Sequence, residues 1–214
     1  MKNLYYIAIE GVIGVGKTSF ARILSERLSA KFVLEKFEEN PFLEDFYHDP
    51  ERYAFQTQLY FLLSRYRQQI DLKQIDLFHN LLVSDYMFAK DKLFAHLNLN
   101  DKELVLYNLI ARLLEKEVPQ PDLVIFLQAS TDRLMENIKK RGRVYEKEIS
   151  REYIESLGQI YNEYFFRYKE TPLIIINTNE IDFVHNEEDL EELLRVIRQP
   201  VSGTRYYNPV RKAK

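Results

Sequence analysis

The sequence of 214 residues predicts one α/β domain built on a five-stranded parallel sheet with helices on both faces. Three observations lead to this prediction. Short apolar segments alternate with segments in which apolar residues recur at helical spacing. The apolar segments are nearly continuous, as in strands that are covered on both faces. The length suits a single well-buried domain and is too short for two comfortable ones.

The predicted elements follow one another from the N-terminus onward. Strands are expected at residues 4–9, 31–34, 81–85, 122–127 and 172–176. Helices are expected at residues 18–29, 50–76, 101–116, 131–140, 150–168 and 186–198. In the long helix, an apolar stripe is predicted to face the core, and it consists of Leu59, Leu62, Leu63, Tyr66 and Ile70. The segment after residue 200 is basic and aromatic, and no structure is predicted for it.

The composition excludes several classes of protein. The absence of cysteine excludes disulfide bonds and thiolate metal sites, and it agrees with a reducing cytoplasm. The apolar run before Glu10 is too short for a signal peptide or a membrane span. A net charge of −3 argues against a non-specific nucleic-acid binder, because such proteins need a broad basic surface. We therefore expect a cytoplasmic protein without a membrane or nucleic-acid partner.

A glycine-rich loop between the first strand and the first helix matches the P-loop pattern G-x-x-x-x-G-K-[ST]. The residues predicted to bind ATP are Gly11, Val12, Ile13, Gly14, Val15, Gly16, Lys17 and Thr18. Glycine allows successive backbone N–H groups to turn toward a phosphate, and the helix N-terminus adds positive potential. Lys17 is predicted to reach the β- and γ-phosphates, and Thr18 to bind Mg²⁺. A glycine turn without a ligand is the alternative, but three of the six glycines fall in these eight residues.

Further candidate groups follow the carboxyl ends of strands, where parallel α/β sheets bind ligands. Glu35 follows the second strand and could accept a proton from an acceptor hydroxyl, although an exposed loop carboxylate would look the same. The cationic run 139–143 could close over phosphates, but such runs are more often solvated helix ends. Within this run Arg141 and Arg143 are preferred, because the guanidinium fork is planar and permanently charged.

A small-molecule kinase explains these groups better than a GTPase switch. A switch carries D-x-x-G after a strand and N-K-x-D for guanine, whereas Asp85 precedes Tyr86-Met87-Phe88 and residues 177–180 lack the lysine and aspartate. A kinase needs a carboxylate for the acceptor hydroxyl and cations for the transferred phosphoryl group.

At these residues the sequence resembles the deoxynucleoside kinase family over about residues 6–198. The shared motifs are I-E-G-x-I-G-x-G-K-T, E-N-P-F-L after Glu35, F-Y-x-D-P-E-R-Y, Q-x-x-x-x-x-x-R and K-R-G-R-x-x-E. The sequence is most similar to the bacterial deoxyguanosine and deoxyadenosine kinases, which share S-D-Y after the third strand. The combination of motifs is far more specific than the P-loop alone.

The resemblance implies a P-loop kinase fold with a short cationic lid at about residues 139–148, in a domain of residues 1–200. It implies ATP as the phosphoryl donor, Mg²⁺ as the cofactor and a homodimer. The reaction implied is phosphorylation of a deoxynucleoside at its 5′-hydroxyl for nucleotide salvage. The tail, residues 201–214, receives no role.

The resemblance also implies roles for individual residues. Glu35 is the general base for the 5′-hydroxyl, and Arg141 and Arg143 act with Lys17 on the phosphates. The residues implied to bind the deoxynucleoside are Tyr47 and Glu146 at the 3′-hydroxyl, Gln58 at the base, Arg65 in support of that pocket, and Glu35 and Asp85 near the 5′-hydroxyl.

Three positions depart from the family pattern. Asp85 replaces an arginine that contacts the catalytic carboxylate, and it is expected to serve Mg²⁺ or the 5′-hydroxyl, or else to cap the next element. Lys90 replaces an aspartate that contacts the base, and Asn137 replaces a lid arginine. The S-D-Y variant favours purines, with a slight preference for guanine. The alternatives are a nucleoside monophosphate kinase of the thymidylate kinase type and, less favoured, a nucleotide-dependent regulatory protein.

Overall fold

The computed structural model describes residues 5–72 and 80–209. In these ranges one parallel sheet has the strand order β2-β3-β1-β4-β5-β6. The strands are β1 (Tyr5–Gly11), β2 (Lys31–Val33), β3 (Leu81–Ser84), β4 (Leu123–Gln128), β5 (Leu173–Asn177) and β6 (Thr204–Tyr207). Successive residues of β1 and β4 are buried although they point to opposite faces, so both faces of the sheet are covered. The parallel α/β architecture predicted from the sequence is confirmed.

Eight α-helices occur in the described ranges. They are α1 (Lys17–Arg27), α2 (Leu43–His48), α3 (Pro50–Leu72), α4 (Lys90–Asn98), α5 (Asp101–Glu115), α6 (Thr131–Arg141), α7 (Arg151–Arg167) and α8 (Glu187–Ile197). Two short 3₁₀ helices, Phe37–Glu39 and Val144–Glu148, precede α2 and α7. Neither α2 nor α4 was expected, because both are too short to carry a clear helical repeat. None of the helices in the described ranges is long and apolar enough to cross a membrane.

Two apolar cores hold these elements together. The larger core contains the sheet strands β1, β4 and β5 with the buried sides of α1, α7 and α8. The smaller core joins α2, α3, α4 and α5 through residues that include Phe46, Leu62 and Tyr107. The helices of the second core form one side of a deep cavity beyond the carboxyl ends of β1, β2 and β3.

The sheet has six strands where five were expected. The additional strand, β6, lies in the tail and pairs in parallel with β5, for example at Ile174 opposite Arg205. It is a short polar edge strand without an apolar run, so periodicity gave no signal for it. The sheet thus extends past residue 200, where the sequence analysis places the end of the domain.

The predicted core stripe of the long helix is partly wrong. Leu62 is fully buried, but Leu63 is 41% exposed. The buried side of α3 is largely polar and includes Thr57, Gln58, Arg65 and Gln69, since this side faces the cavity and the end of β3. Residues 73–76, the predicted end of the helix, lie outside the described residues.

Candidate active site

The glycine-rich loop connects the end of β1 to the first residue of α1. Gly14 has φ 88° and Gly16 has φ 97°, which are conformations that side chains rarely adopt. A Cβ atom at Gly14 would also lie 2.7 Å from the backbone oxygen of Leu134. The loop therefore requires glycine at these positions for reasons of backbone geometry and close packing against α6.

Lys17 reaches back across the loop. Its Nζ donates hydrogen bonds to the backbone oxygens of Gly11 at 2.7 Å and Val12 at 3.1 Å. Removal from water, reinforced by the nearby charge of Lys90, lowers the pKa of Lys17 to about 8. The ammonium is therefore still mainly charged at neutral pH, and an anion in the loop would favour that charge.

Helix α6 is fastened to the loop by Asn137, one of the positions that depart from the family pattern. Asn137 donates from Nδ2 to the backbone oxygen of Gly14 over 2.8 Å. On the other side of the loop, Phe183 packs beside Gly16 and against Phe20 of α1, with ring centroids 4.9 Å apart. The loop is thus held from two directions.

Asp85 connects the loop to the end of β2. Its Oδ2 accepts from the hydroxyl of Thr18 at 2.5 Å, and its Oδ1 accepts from the backbone N–H of Glu35 at 2.8 Å. Burial raises the pKa of Asp85, which the hydrogen bond from Thr18 partly offsets. Asp85 therefore fixes the backbone at Glu35, and it brings a carboxylate within reach of the first turn of α1.

Glu35 is buried and bound by two cations. Its Oε1 accepts from Nε and Nη2 of Arg65 at 2.9 and 2.5 Å, and its Oε2 accepts from Nζ of Lys90 at 2.5 Å. Burial opposes ionisation, but Lys90 and Arg65 outweigh it and lower the pKa of Glu35 to about 2. Glu35 is therefore a carboxylate at neutral pH and not an exposed loop acid.

Arg65 has a second carboxylate partner. Its Nη1 donates to Asp91, which is fully buried and accepts a further hydrogen bond from the hydroxyl of Tyr107 at 2.6 Å. The sequence analysis predicts that Arg65 supports a base pocket, but it does not predict that Arg65 pairs with Glu35 and Asp91. The side chain lies between Glu35 and Asp91, so its position is fixed from both sides.

A further buried carboxylate, Glu10, lies at the end of β1. It accepts from the backbone N–H groups of Gly11 at 3.2 Å and Met87 at 2.7 Å, and from the hydroxyl of Tyr161 at 3.2 Å. Burial raises the pKa of Glu10, whereas Lys90 and Lys17 act in the opposite direction. Glu10 joins the start of the loop to the segment after β3.

The remaining predicted groups lie on the far side of the cavity. Glu146 is buried and accepts from Nε and Nη2 of Arg141 at 2.9 and 2.6 Å, and from Arg143 at 3.4 Å. Tyr47 stacks on Tyr145, with ring centroids 6.0 Å apart. The two arginines that were expected on phosphates thus hold Glu146 in this structure.

Gln58 is buried on α3, and its Oε1 has no hydrogen-bond partner among the described residues. It lines the cavity together with Glu35, and an unpaired buried acceptor facing a cavity suits a ligand that donates a hydrogen bond. The hydroxyl of Tyr145 is likewise buried and unpartnered among the described residues.

One cavity of about 570 Å³ brings most of the predicted groups together. Its wall includes Ile13, Gly14, Gly16, Lys17, Thr18, Glu35, Tyr47, Gln58, Arg65, Asp85, Arg141, Arg143 and Glu146. Gly11, Val12 and Val15 belong to the same loop, but they are buried and do not line the cavity. The size suits a small organic ligand, and anion-binding groups lie on one side with a buried carboxylate on the other.

Sequence reasoning did not identify the buried carboxylates Asp91 and Glu10 as parts of this site, and it noted Lys90 only as the replacement of a base-contacting aspartate. Lys90 and Asp91 begin a helix that was not expected, so the sequence did not indicate that they face the cavity. The available signal was a pair of charges, Lys90 and Asp91, that follows the S-D-Y sequence after three apolar residues. Glu10 ends an otherwise apolar strand, which is an unusual place for a carboxylate.

Comparison with known proteins shows the family of this chain. The family described as deoxynucleoside kinase matches residues 7–202. A deoxyguanosine kinase of Bacillus subtilis is 32% identical over 93% of this chain and 99% of its own length. A deoxyadenosine kinase of Dictyostelium discoideum is 36% identical over 96% of this chain and 82% of its own length.

The solved structures agree as well. Deoxyadenosine kinase from M. mycoides with bound dATP superposes with a TM-score of 0.79 at 27% identity. The similarity covers 91% of this chain and 100% of that chain. A second structure of that enzyme, with dCMP and dCDP as products, has a TM-score of 0.76 at 29% identity. The fold, the cavity and the sequence similarity together establish that the chain is a kinase and belongs to the deoxynucleoside kinase family.

Proposed function

We propose that the protein transfers the γ-phosphoryl group of ATP to the 5′-hydroxyl of a purine deoxynucleoside, in nucleotide salvage. The observation that carries this proposal is the shared cavity. Lys17 and Thr18 of the glycine loop and the buried carboxylate of Glu35 line the same cavity. A donor with its phosphates at the loop and an acceptor hydroxyl at Glu35 would therefore meet inside that cavity.

The donor side acts as a P-loop. Backbone N–H groups of residues 11–18 and the N-terminus of α1 bind the phosphates, and Lys17 balances the charge of the β- and γ-phosphates. Lys17 must then exchange its contacts with Gly11 and Val12 for phosphate oxygens, which are stronger acceptors because they are charged.

The donor set at Thr18 and Asp85 fits Mg²⁺. A hydroxyl and a carboxylate oxygen lie 2.5 Å apart, and Mg²⁺ in kinase sites takes one or two carboxylates, phosphate oxygens and waters. No group of three or more metal-binding acidic, histidine or cysteine side chains occurs in the described parts of the chain. When bound, Mg²⁺ would neutralise charge on the β- and γ-phosphates.

The acceptor side begins with Glu35 as the general base. Glu35 is ionised and buried, so it can take the 5′-hydroxyl proton in a space from which water is largely excluded. Arg65 holds the carboxylate in place through two hydrogen bonds. Asp85 fixes the backbone of the same residue.

Recognition of the nucleoside is assigned to the far wall. Gln58 offers an unpaired amide oxygen to an amino group of the base, and its NH₂ can donate to a ring nitrogen. Tyr47 and Glu146 bind the 3′-hydroxyl, with Glu146 oriented by Arg141. Relatives named deoxyguanosine kinase and deoxyadenosine kinase support a purine, while Gln58 can satisfy either purine edge.

The cationic lid consists of residues 139–148. In the reaction Arg141 and Arg143 move from Glu146 toward the equatorial oxygens of the transferred group. Arg143 can move because its contacts are weak. Its guanidinium nitrogens lie 3.3 Å from a carboxylate oxygen of Glu38 and 3.4 Å from one of Glu146, and its Cζ lies 4.5 Å from the ring centroid of Phe37. Each of these contacts is partly exposed and thus worth little.

The rival reaction, phosphorylation of a nucleoside monophosphate, needs an additional cation for the acceptor phosphate. Among the residues predicted to bind the nucleoside, Arg65 is the obvious candidate for that cation. In the structure two carboxylates, Glu35 and Asp91, already neutralise it. The acceptor side therefore favours an uncharged nucleoside.

We also propose a cytoplasmic homodimer formed through α5. This helix exposes four apolar side chains, Val105, Leu106, Leu109 and Leu113, and α3 packs against it with Leu63 exposed as well. Such a contiguous apolar face is rare on a monomer and marks an association surface. Light scattering should give the mass of a dimer, and Leu109→Glu should convert it to a monomer.

The reaction is tested by ADP formation from ATP and Mg²⁺ with four deoxynucleosides, four ribonucleosides and the corresponding monophosphates. Turnover with deoxyguanosine or deoxyadenosine, lost when EDTA removes Mg²⁺, is the expected result. Turnover only with monophosphates would move the protein to the rival reaction. ADP formation at a rate that no added acceptor changes would overturn the proposed transfer to a deoxynucleoside.

A further inference from the structure

The two cations that bind Glu35 are held very differently. Arg65 is fixed by Glu35 on one side and by Asp91 on the other, and Asp91 is itself held by Tyr107. The ammonium of Lys90 makes a single hydrogen bond to a described residue, from Nζ to Oε2 of Glu35 at 2.5 Å. The side chain of Arg65 is therefore fixed from two sides, whereas the ammonium of Lys90 is held by one hydrogen bond.

Lys90 also lies in the right place to reach a substrate. It is the first residue of α4, five positions after Asp85, and it lines the cavity with the glycine loop. Its Nζ lies 5.6 Å from the ring centroid of Phe94, and only 7% of the residue is exposed. A lysine amine carries three donors on a flexible stem, so it can turn toward a new acceptor without moving the helix.

A general base needs a lone pair that the acceptor hydroxyl can reach. Oε1 of Glu35 already accepts two hydrogen bonds from Arg65, whereas Oε2 accepts one, from Lys90. Oε2 therefore keeps a lone pair for the 5′-hydroxyl, which would enter beside the ammonium of Lys90.

We propose that Lys90 is a further catalytic residue, which acts on the 5′-oxygen of the acceptor. This inference rests on the proposed function. The 5′-hydroxyl enters between Lys90 and Glu35, where it accepts a hydrogen bond from Nζ and donates its proton to Oε2. Lys90 thereby orients the attacking oxygen beside the base and at the same time places a positive charge next to it.

The step is balanced without any further reactant. The bond between the 5′-oxygen and the γ-phosphorus forms while the bond from that phosphorus to the bridging oxygen of ATP breaks. The electron pair of the broken bond leaves with ADP, and the hydroxyl proton passes to Glu35. Lys90 keeps its protons throughout and follows the negative charge toward the transferred phosphoryl group.

Two other roles are possible for Lys90, and kinetics separates them. A residue that reads the base would change KM or kcat differently for different deoxynucleosides. A purely structural counter-ion would be replaceable by arginine, which keeps the charge next to Glu35. A residue at the 5′-oxygen would change kcat by the same factor for every base, because all deoxynucleosides share that atom.

The experiment compares Lys90→Met with the control Lys92→Met, which removes a lysine of the same helix that pairs with Glu115. Initial rates are measured with ATP, Mg²⁺ and each accepted deoxynucleoside. We expect Lys90→Met to lower kcat by roughly 10²–10³-fold for every base, with deoxynucleoside KM within about threefold of normal. Lys92→Met should stay within about twofold of the unchanged protein.

Two additional variants keep the test decisive if Lys90→Met does not fold. Lys90→Arg keeps the charge, but its fork can donate two hydrogen bonds to Glu35 and so leaves no lone pair of Oε2 for the 5′-hydroxyl, and kcat should fall at least about tenfold. In Lys90→Ala, added ethylamine should raise kcat without changing KM, whereas the larger tert-butylamine should not.

Normal kcat in Lys90→Arg, a base-dependent loss in Lys90→Met, or no loss at all would each overturn the assignment. These outcomes bear on Lys90 only if the unchanged protein phosphorylates deoxynucleosides. An unchanged protein without deoxynucleoside-dependent turnover would overturn the proposed function itself, and the role of Lys90 with it.

Discussion

The glycine loop and the acceptor side of the cavity are built in different ways. The loop is one continuous stretch, residues 11–18, and its shape comes from backbone angles such as φ 88° at Gly14. The acceptor side comes from separate elements, and its groups are the buried charged side chains Glu35, Arg65, Lys90 and Asp91. In the proposed reaction, backbone groups and Lys17 bind the donor, whereas side-chain ion pairs hold the carboxylate that acts on the acceptor.

The difference determines how each region fails when it is changed. On the acceptor side two carboxylates balance two cations, so removal of one member leaves an uncompensated buried charge. In the loop, apart from the side chains of Lys17 and Thr18, the phosphate-binding groups are main-chain N–H groups, which only proline removes and which otherwise only a change of shape can misplace. We therefore expect larger effects on the acceptor side than in the loop.

The largest effect is expected from Glu35→Gln, which removes the base and keeps the shape. The rate constant kcat should fall by about 10²–10⁴-fold, since this is the usual contribution of general-base catalysis. ATP binding, measured by the fluorescence of a labelled nucleotide, should stay within about threefold because the glycine loop is untouched. The control is Glu51→Gln, at an exposed position in the first turn of α3. Near-normal turnover in Glu35→Gln would show that another group takes the proton.

Arg65→Met tests whether the acceptor side depends on its charge balance. The change leaves Asp91 without its cation and Glu35 with Lys90 alone, so the free energy of unfolding should fall by about 3–5 kcal/mol. Urea unfolding followed by circular dichroism measures this loss. Arg67→Met, at an exposed position on the same helix, should change the unfolding free energy by less than about 0.5 kcal/mol. A small effect at Arg65 would contradict the dependence of the acceptor side on its charge balance.

Gly14→Ala tests the shape of the glycine loop, and its effect is again measured as a change in the free energy of unfolding. The new Cβ would lie 2.7 Å from the oxygen of Leu134 at a residue with φ 88°, so we expect a loss of about 1–3 kcal/mol in unfolding free energy. KM for ATP should also rise while KM for the deoxynucleoside changes little. The matched control, Gly158→Ala in α7, meets no atom within 4 Å and should raise stability by about 0.5–1 kcal/mol. Equal effects in both variants would contradict the steric explanation.

The smallest effect is expected from Asn137→Ala, which removes one hydrogen bond between α6 and the loop. The loss in unfolding free energy should be about 0.5–1.5 kcal/mol, as for other single hydrogen bonds. A modest rise in KM for ATP should accompany it, because Gly14 loses its support. Glu136→Ala, its exposed neighbour on α6, serves as the control. A loss in unfolding free energy larger than that of Gly14→Ala would mean that the hydrogen bond from α6 stabilises the loop more than glycine at position 14 does.

Much of the fold could be read from the sequence. Five of the six strands are confirmed, since an apolar run between turn residues is a local pattern. The polar edge strand β6 was missed, because its pairing with β5 depends on a neighbour and not on its own composition. Leu63 was assigned to the core by the helical repeat alone, yet α3 turns its polar side inward and leaves Leu63 exposed.

The sequence by itself determined the glycine loop and the carboxylates that follow β2 and β3, because these depend on residues next to one another and on the direction of parallel strands. Only the tertiary structure decided which charges meet. Arg65 lies 30 positions from Glu35 and 26 from Asp91, and Lys90 lies 55 positions from Glu35. Ion pairs over such separations leave no periodic signal in the chain, because the packing of α3 against α4 brings Arg65 and Lys90 to Glu35 after β2.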